Sequence, residues 1–535
     1  MQHMIRFLTV PSAGHPRFTP PARYSKLAVQ LVCCAILSVT WGCRPPQNHE
    51  DRVPGGSERH TSLSTTENER SVNQLPKVSP QVRSKSITNV PQNSAGQADT
   101  SPAGTARGSD SNHHLQATNT VVNPQLMSAA GIRKLGGKHI TLYTDLPHQP
   151  SIDPLPSVFD AAVAEWCRYF QIDIQKTADW HLHGYLIQNK DRFITAGLFS
   201  DDLPPFLHGF QRGSEIWFYD QKSDYYRRHL MLHEGTHAFM NHFLGSGGPS
   251  WYSEGLAELL GTHHWEEARL ALRHFPQHRD EVPYWGRIKI IREDMAHSGL
   301  RSLQQVVDTG ARDYLKVNPY AWSWAVSAFL DGHPAYCHRF RALQNYVTDP
   351  LFSQHFLDSF QTDWNQLEEE WQLFILNLVY GYDIPREAVI FQPGKPLSKQ
   401  PATVIVKTDR GWQSSGIRLE TGVSYHLQAT GRYQLANQLQ PWWCEPNGVT
   451  IRYHQGKPLG ILLGSIRPEG ERTGLSQLAQ SKIIGLQQTL TSQTAGTLYL
   501  RINDSAAELA DNLGEVKVRI QRLTSSKTPT SGKLN

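Results

Sequence analysis

The run His233-Glu234-Gly235-Thr236-His237 has the residue types and spacing of metal chemistry. Histidines at i and i+4 of a helix stand one turn apart on one face, so both imidazoles can reach a single tetrahedral zinc ion. Glu234, beside the first histidine, is then placed as general base toward water at that metal. Farther along comes Trp251-Tyr252-Ser253-Glu254-Gly255-Leu256-Ala257-Glu258. A helix here puts Glu254 and Glu258 on one face, four residues apart. Glu254 completes a set of two histidines and one carboxylate and leaves a fourth position for water. Glu258 is placed to hydrogen-bond the outer nitrogen of a ligand histidine and fix its tautomer. Gly255 and Ala257 are small enough for close approach to the first helix. The alternative is a solvated face or a satisfied buried network of the same side chains.

These residues need elements to hold them. Ser223 or Asp224 can cap the first helix, Leu232, Phe239 and Met240 give it apolar faces, and Gly245 to Pro249 ends it. Upstream, Lys138 to Pro147 and His181 to Ile187 read as strands, Val158 to Ile172 as a helix, and Ser214 to Asp220 as a strongly β-prone run. From Asp224 to about Tyr380 the apolar periods are helical. A small sheet followed by helices is an α+β order, predicted over residues 126–393. After Pro393, short Val, Ile, Leu, Tyr and Trp runs alternate with Gly, Asn and Pro turns, which predicts an all-β sandwich over 394–523. The fold class is therefore multidomain, with residues 524–535 as a frayed tail.

HEGTH followed by the Glu of W-Y-S-E-G-L-A-E resembles the gluzincin metallopeptidases over roughly residues 130–390. The resemblance implies zinc held by His233, His237 and Glu254, Glu234 as base, and Glu258 behind a ligand. It also implies that the strand before the zinc helix pairs with the substrate backbone, here Ser214 to Asp220, with Ser214, Ile216 and Phe218 as its contacts. Tyr320, at the start of the helix Y-A-W-S-W-A-V-S-A-F-L, matches the place where related families often carry a Tyr, and is the candidate oxyanion donor. The other reading of Tyr320 is a core aromatic beside Trp322 and Trp324; His263 and His264 are rival donors. The Gly-x-Met-Glu-Asn run of gluzincin aminopeptidases and the Asn-Glu-x-x-Ser-Asp run of thermolysin-like enzymes are absent.

In the β-rich part, Asn503-Asp504 and Asp511-Asn512 flank a short loop. Calcium takes several hard oxygens, and this loop can supply the side chains of Asp504, Asp511 and Asn512. G-T-L-Y-L-R-I-N-D followed by D-N-L-G-E-V-K-V resembles the galactose-binding PA-I-type lectins over about 402–522. The resemblance implies those three residues as calcium ligands, with the carbonyl of Glu508 and one near Leu435 in support, and a carbohydrate ligand. Where that lectin contacts sugar through His and Gln, this chain has Cys444-Glu445-Pro446-Asn447-Gly448. The alternative is that the Asx residues cap turns.

At 535 residues with 39% hydrophobic content the chain has material for two or three folded units. A net charge of +4 with interspersed signs gives no basic stripe, so nucleic acid is not an expected partner. Arg6, Arg17, Arg23 and Lys26 precede an apolar run from Leu27 to Gly42 and then Cys43, which reads as an export signal over 1–43 with Cys43 as a lipoprotein-like lipidation position. Residues 44–125 read as a disordered tether, since the stretch to about Thr120 has no Phe, Trp or Tyr. Cys167, Cys337 and Cys444 remain, too few for a disulfide framework. The expectation is an exported, envelope-associated zinc peptidase, periplasmic or extracellular, acting on protein or peptide and touching membrane only through its N-terminal signal or lipid. The runner-up is a catalytically inactive envelope protein that presents a glycan- or protein-binding β domain.

Overall fold

In a computed structural model, five strands form the first sheet: β1 (Arg133–Gly136), β2 (Ile140–Thr144), β3 (Leu182–Ile187), β4 (Gly209–Arg212) and β5 (Glu215–Tyr219). The spatial order is β1-β2-β3-β5-β4. β2, β3 and β5 run parallel, while β1 and β4 pair antiparallel at the two edges. The structure describes residues 120–437, 440–470 and 474–523, all within one compact unit, Arg107–Asn535. The export signal, the tether up to residue 119 and the tail from 524 lie outside the described residues. Regular structure starts at Pro124, two residues inside the expected tether, where Asn123 caps a short helix by accepting from Gln125 N at 3.0 Å. Among the described residues no helix is long and apolar enough to cross a membrane.

The sheet is covered on both faces, so its central strands are apolar without strict alternation, the signature of parallel strands buried on both sides. Ile140, Leu142, Leu186, Ile216 and Phe218 face a core shared with α1 (Leu155–Phe170) and α2 (Asp224–Phe243). Tyr143, Tyr185 and Trp217 face the opposite cluster, with Met127 and Phe193. The remaining helices used below are α3 (Ser250–Gly261), α4 (Arg287–Ser298), α5 (Asn318–Gly332) and α6 (Trp364–Leu376).

The β-rich part holds two larger sheets. One runs, in space, Lys482–Ile483, Leu462–Pro468, Gly496–Ile502, Gln413–Leu419, Lys395–Pro396; the other runs Gln487–Thr491, Ser424–Thr430, Glu515–Arg522, Ala402–Lys407. Inward residues of both, among them Leu427, Val518 and Ile520 against Leu419, Leu462 and Leu500, share one core. Cys167, Cys337 and Cys444 are free thiols.

This part is fastened to the helical part. Arg467 donates to Glu369 of α6 at 2.8 Å, and Ser476 Oγ donates to the same carboxylate at 2.6 Å. Arg501 grips Glu387 with two bonds of 2.8 and 2.9 Å. Leu373 and Val389 join Trp412, Leu463 and Tyr499 in a common apolar cluster.

Candidate metal centre

α2 begins where Ser223 Oγ accepts from Tyr226 N at 3.2 Å, with Asp224 favourably placed in the first turn. Gly235, inside the HEGTH run, is required by packing: a Cβ there would lie 2.6 Å from Phe159 and 2.7 Å from Trp166 of α1. α2 is thereby seated on α1, and its other side turns His233 and His237 toward α3.

There the ligand atoms converge. His233 Nε2 and His237 Nε2 are 3.2 Å apart, and Glu254 Oε2 lies 3.2 Å from the first and 3.3 Å from the second. A tetrahedral ion with bonds of about 2.0–2.2 Å has ligand-to-ligand edges of about 3.3–3.6 Å. The donor set and its spacing therefore fit an ion of zinc's size. Despite burial, which pushes it upward, the Glu254 carboxyl is held down to about 2 by the two imidazoles that face it. Glu234 is buried beside them, and burial raises its pKa above the ordinary carboxylate value.

Behind the ligands stand residues that hold them. His237 Nδ1 faces Ser253 Oγ at 3.1 Å. His233 Nδ1 faces Glu258 Oε1 at 3.5 Å, an ion-pair separation longer than a good hydrogen bond. Glu258 is almost fully buried and is gripped by Arg287 through Nε (2.8 Å) and Nη2 (2.7 Å), a bidentate fork. His229, a turn before His233 and fully buried, brings Nε2 to 3.3 Å from Glu258 Oε2. Sequence reasoning missed Ser253, His229 and Arg287. His229 was within reach, since it stands four residues before His233 on the same helical face. Arg287 sits on another helix and nothing in its local sequence marks it.

Tyr320 reaches the site. Its ring centre lies 6.2 Å from that of His233, and burial with the nearby carboxylates raises its pKa, which keeps the phenol protonated and able to donate. Tyr314 packs edge-on against it at 5.3 Å. The core aromatics of that helix are Trp322 and Trp324, each 1% exposed. His263 is occupied elsewhere: Nδ1 faces Gly261 O at 2.8 Å, Arg228 donates to Nε2 at 3.2 Å, and the ring stacks on Tyr225. His264 is solvent-facing and pairs with Glu266. Neither is positioned as an oxyanion donor.

The expected docking strand is corrected. Glu215–Tyr219 lies between β3 and β4, with its backbone engaged on both sides. Ile216 and Phe218 are fully buried in the core, and Ser214 belongs to the preceding turn, where its carbonyl accepts from His183 N at 2.9 Å. The edge is β4, which lies against α2 beside Glu234. The expected role of Gly255 is corrected too. Gly255 faces Ser323 and Ser327 of α5, while close approach to α2 occurs at Gly261 against His229.

In the sandwich, Asp504 and Asn512 come together, with Asp511 beside Asn512 in the chain. Asn512 Nδ2 donates to Asp504 Oδ2 at 2.9 Å and to Thr408 O at 3.1 Å, and Ser505 N donates to Asp504 Oδ1 at 2.7 Å. Asp511 Oδ1 and Asn512 Oδ1 are buried without a donor, which suits oxygens that can face a cation. Burial pushes the Asp504 carboxyl up to about 7. The Glu508 carboxylate is tied to Arg452. Cys444, at the position where the lectin resemblance would need a sugar contact, is buried against Tyr433.

No family model matches the chain, and no curated protein matches it. Among solved structures, a chain titled "EclA N-terminal domain; PllA-like lectin" is similar at 19% identity over 23% of this chain and 95% of that one, with a TM-score of 0.17.

Proposed function

We propose that this protein is a zinc-dependent peptidase whose ion is held by His233, His237 and Glu254. The observation that carries the reading is the near-equilateral triangle of 3.2, 3.2 and 3.3 Å formed by their three ligand atoms, with the Glu234 carboxyl beside it. When bound, zinc supplies Lewis acidity toward a carbonyl and acidifies water. Glu234, its basicity raised by burial, takes the proton of the attacking water and delivers it to the leaving amine as the C–N bond breaks. The Tyr320 hydroxyl donates to the developing oxyanion. Glu258, locked by Arg287, faces His233 Nδ1, and Ser253 faces His237 Nδ1, which orients both rings. The unpaired side of β4 offers backbone groups for an extended peptide. Export and lipidation at Cys43 belong to the same proposal, resting on the N-terminal sequence.

The test is peptide cleavage profiling of the zinc-loaded protein with and without chelator, beside Glu234→Gln. Cleavage that chelator abolishes and that Glu234→Gln loses while keeping zinc supports the reading. One equivalent of zinc with no cleavage by the parent would instead favour an inactive scaffold that presents the sandwich. For the sandwich we propose a calcium-type cation at Asp504, Asp511 and Asn512, supported by the two donorless oxygens. A carbohydrate ligand there is the extension of that proposal, and calorimetry of the full chain with calcium and then galactose tests both.

A further inference from the structure

The edge strand meets the centre at Gly209. An ideal Cβ on Gly209 would lie 2.9 Å from both Cδ and Cγ of Glu234 and closer still to Oε1. Real Cβ atoms do not approach carbon so closely, so any other residue at 209 forces either the strand or the carboxylate to move. The backbone itself makes no demand for glycine, because Gly209 is ordinary extended strand without a positive φ. Its register is pinned from both directions. On the far face Phe210 joins the cluster around Trp217 and Arg212 lies over the Trp217 ring. On the near face Gln211 Oε1 accepts from Asn241 Nδ2 at 2.9 Å, a turn of α2 beyond His237. β4 is thus fastened along α2 and cannot retreat from residue 209 alone.

We infer that Gly209 is a positioning residue for the general base: its missing side chain lets the strand backbone lie against the Glu234 carboxylate and hold it in one orientation. The catalytic half of this inference rests on the peptidase reading, whereas the contact itself can be tested without turnover. A carboxylate moved by about 1 Å is enough to cost on the order of 100-fold in rate.

The experiment compares four zinc-loaded full-length proteins: parent, Gly209→Ala, Glu234→Asp and the double variant. The aspartate side chain is shorter by one methylene and leaves room for a methyl group at 209. In the parent background Gly209→Ala should keep its zinc, lose about 100-fold in kcat and change KM by less than about threefold. The double variant should be no slower than Glu234→Asp alone, within about twofold, because the two changes act on one contact. The thermal midpoint gives a second cycle. Gly209→Ala should lower it by a few degrees in the parent background and raise it slightly in the Glu234→Asp background, since alanine in an unstrained strand restricts the unfolded chain. Equal midpoint shifts in both backgrounds, or parent-like kcat in Gly209→Ala, would overturn the inference. If the parent holds zinc and cleaves nothing, the peptidase reading fails, and the midpoint cycle still decides the contact.

Discussion

His233, His237 and Glu254 act as a unit at the scale of single residues, because removing one leaves the other two directed at a point with too few donors. Each alanine variant should fail to retain zinc through dialysis against buffer, as read by metal analysis, while Glu234→Gln retains it. Arg287 has a different part. It places a guanidinium on a carboxylate that is 2% exposed and that also faces His229 and His233. Arg287→Ala leaves that charge buried without its guanidinium, which should destabilise the protein by about 3–5 kcal/mol in denaturant unfolding. It should also weaken zinc binding by about 10–100-fold in competition with a chelator, because Glu258 then no longer fixes the His233 ring. An Arg287→Ala protein with parent stability would show that the fork carries no structural weight.

Elements decide what a residue faces, and here the reading from sequence divides. The HEGTH helix and its partner were legible because i, i+4 spacing fixes which side chains share a face without knowledge of the rest of the fold. Glu254 and Glu258 face α2 as that spacing requires. Gly255, one residue on, is turned by about 100° and meets α5 instead. β5 was legible as a strand, since Glu215–Tyr219 is rich in aromatic and β-branched residues. Its interior place was not, because β4 is four residues, G-F-Q-R, with no alternation to announce it. Loops are harder still, yet the loop at Asp504 yields a prediction. Burial raises the Asp504 pKa from 3.8 to about 7. Between those values the folded state holds a proton that the unfolded chain has lost, so stability falls as pH rises through the window. The full cost above pH 7 is on the order of 4 kcal/mol. A divalent cation bound beside Asp504 would remove that cost by supplying the missing charge. Millimolar calcium should therefore raise the thermal midpoint clearly at pH 8 and little at pH 5. Equal shifts at both values would show that the carboxylate is not what the ion meets.

Across the whole molecule, the sandwich and the helical part are welded. Ala506, in the loop beside Asp504, is buried in the helical core, and its carbonyl accepts from Asp383 N at 2.9 Å. With the Arg501–Glu387 pair buried and the Arg467–Glu369 pair half-buried at the junction, neither part is complete alone. Calorimetry should show one transition, with zinc release and loss of β signal at a common midpoint. Glu387→Ala should lower that single midpoint, by the equivalent of about 3–5 kcal/mol, because Arg501 is left buried without its partner. Two separated transitions would mean that the weld is weak.

The weld also sets a timetable. Glu369 must wait for Ser476, 107 residues later, and Glu387 for Arg501, 114 residues later. At about 5–20 residues per second, a chain emerging N-terminus first spends roughly 5–25 s with the HEGTH helix already made and Ser476 and Arg501 still to come. The junction is therefore closed only when almost the whole length has been delivered.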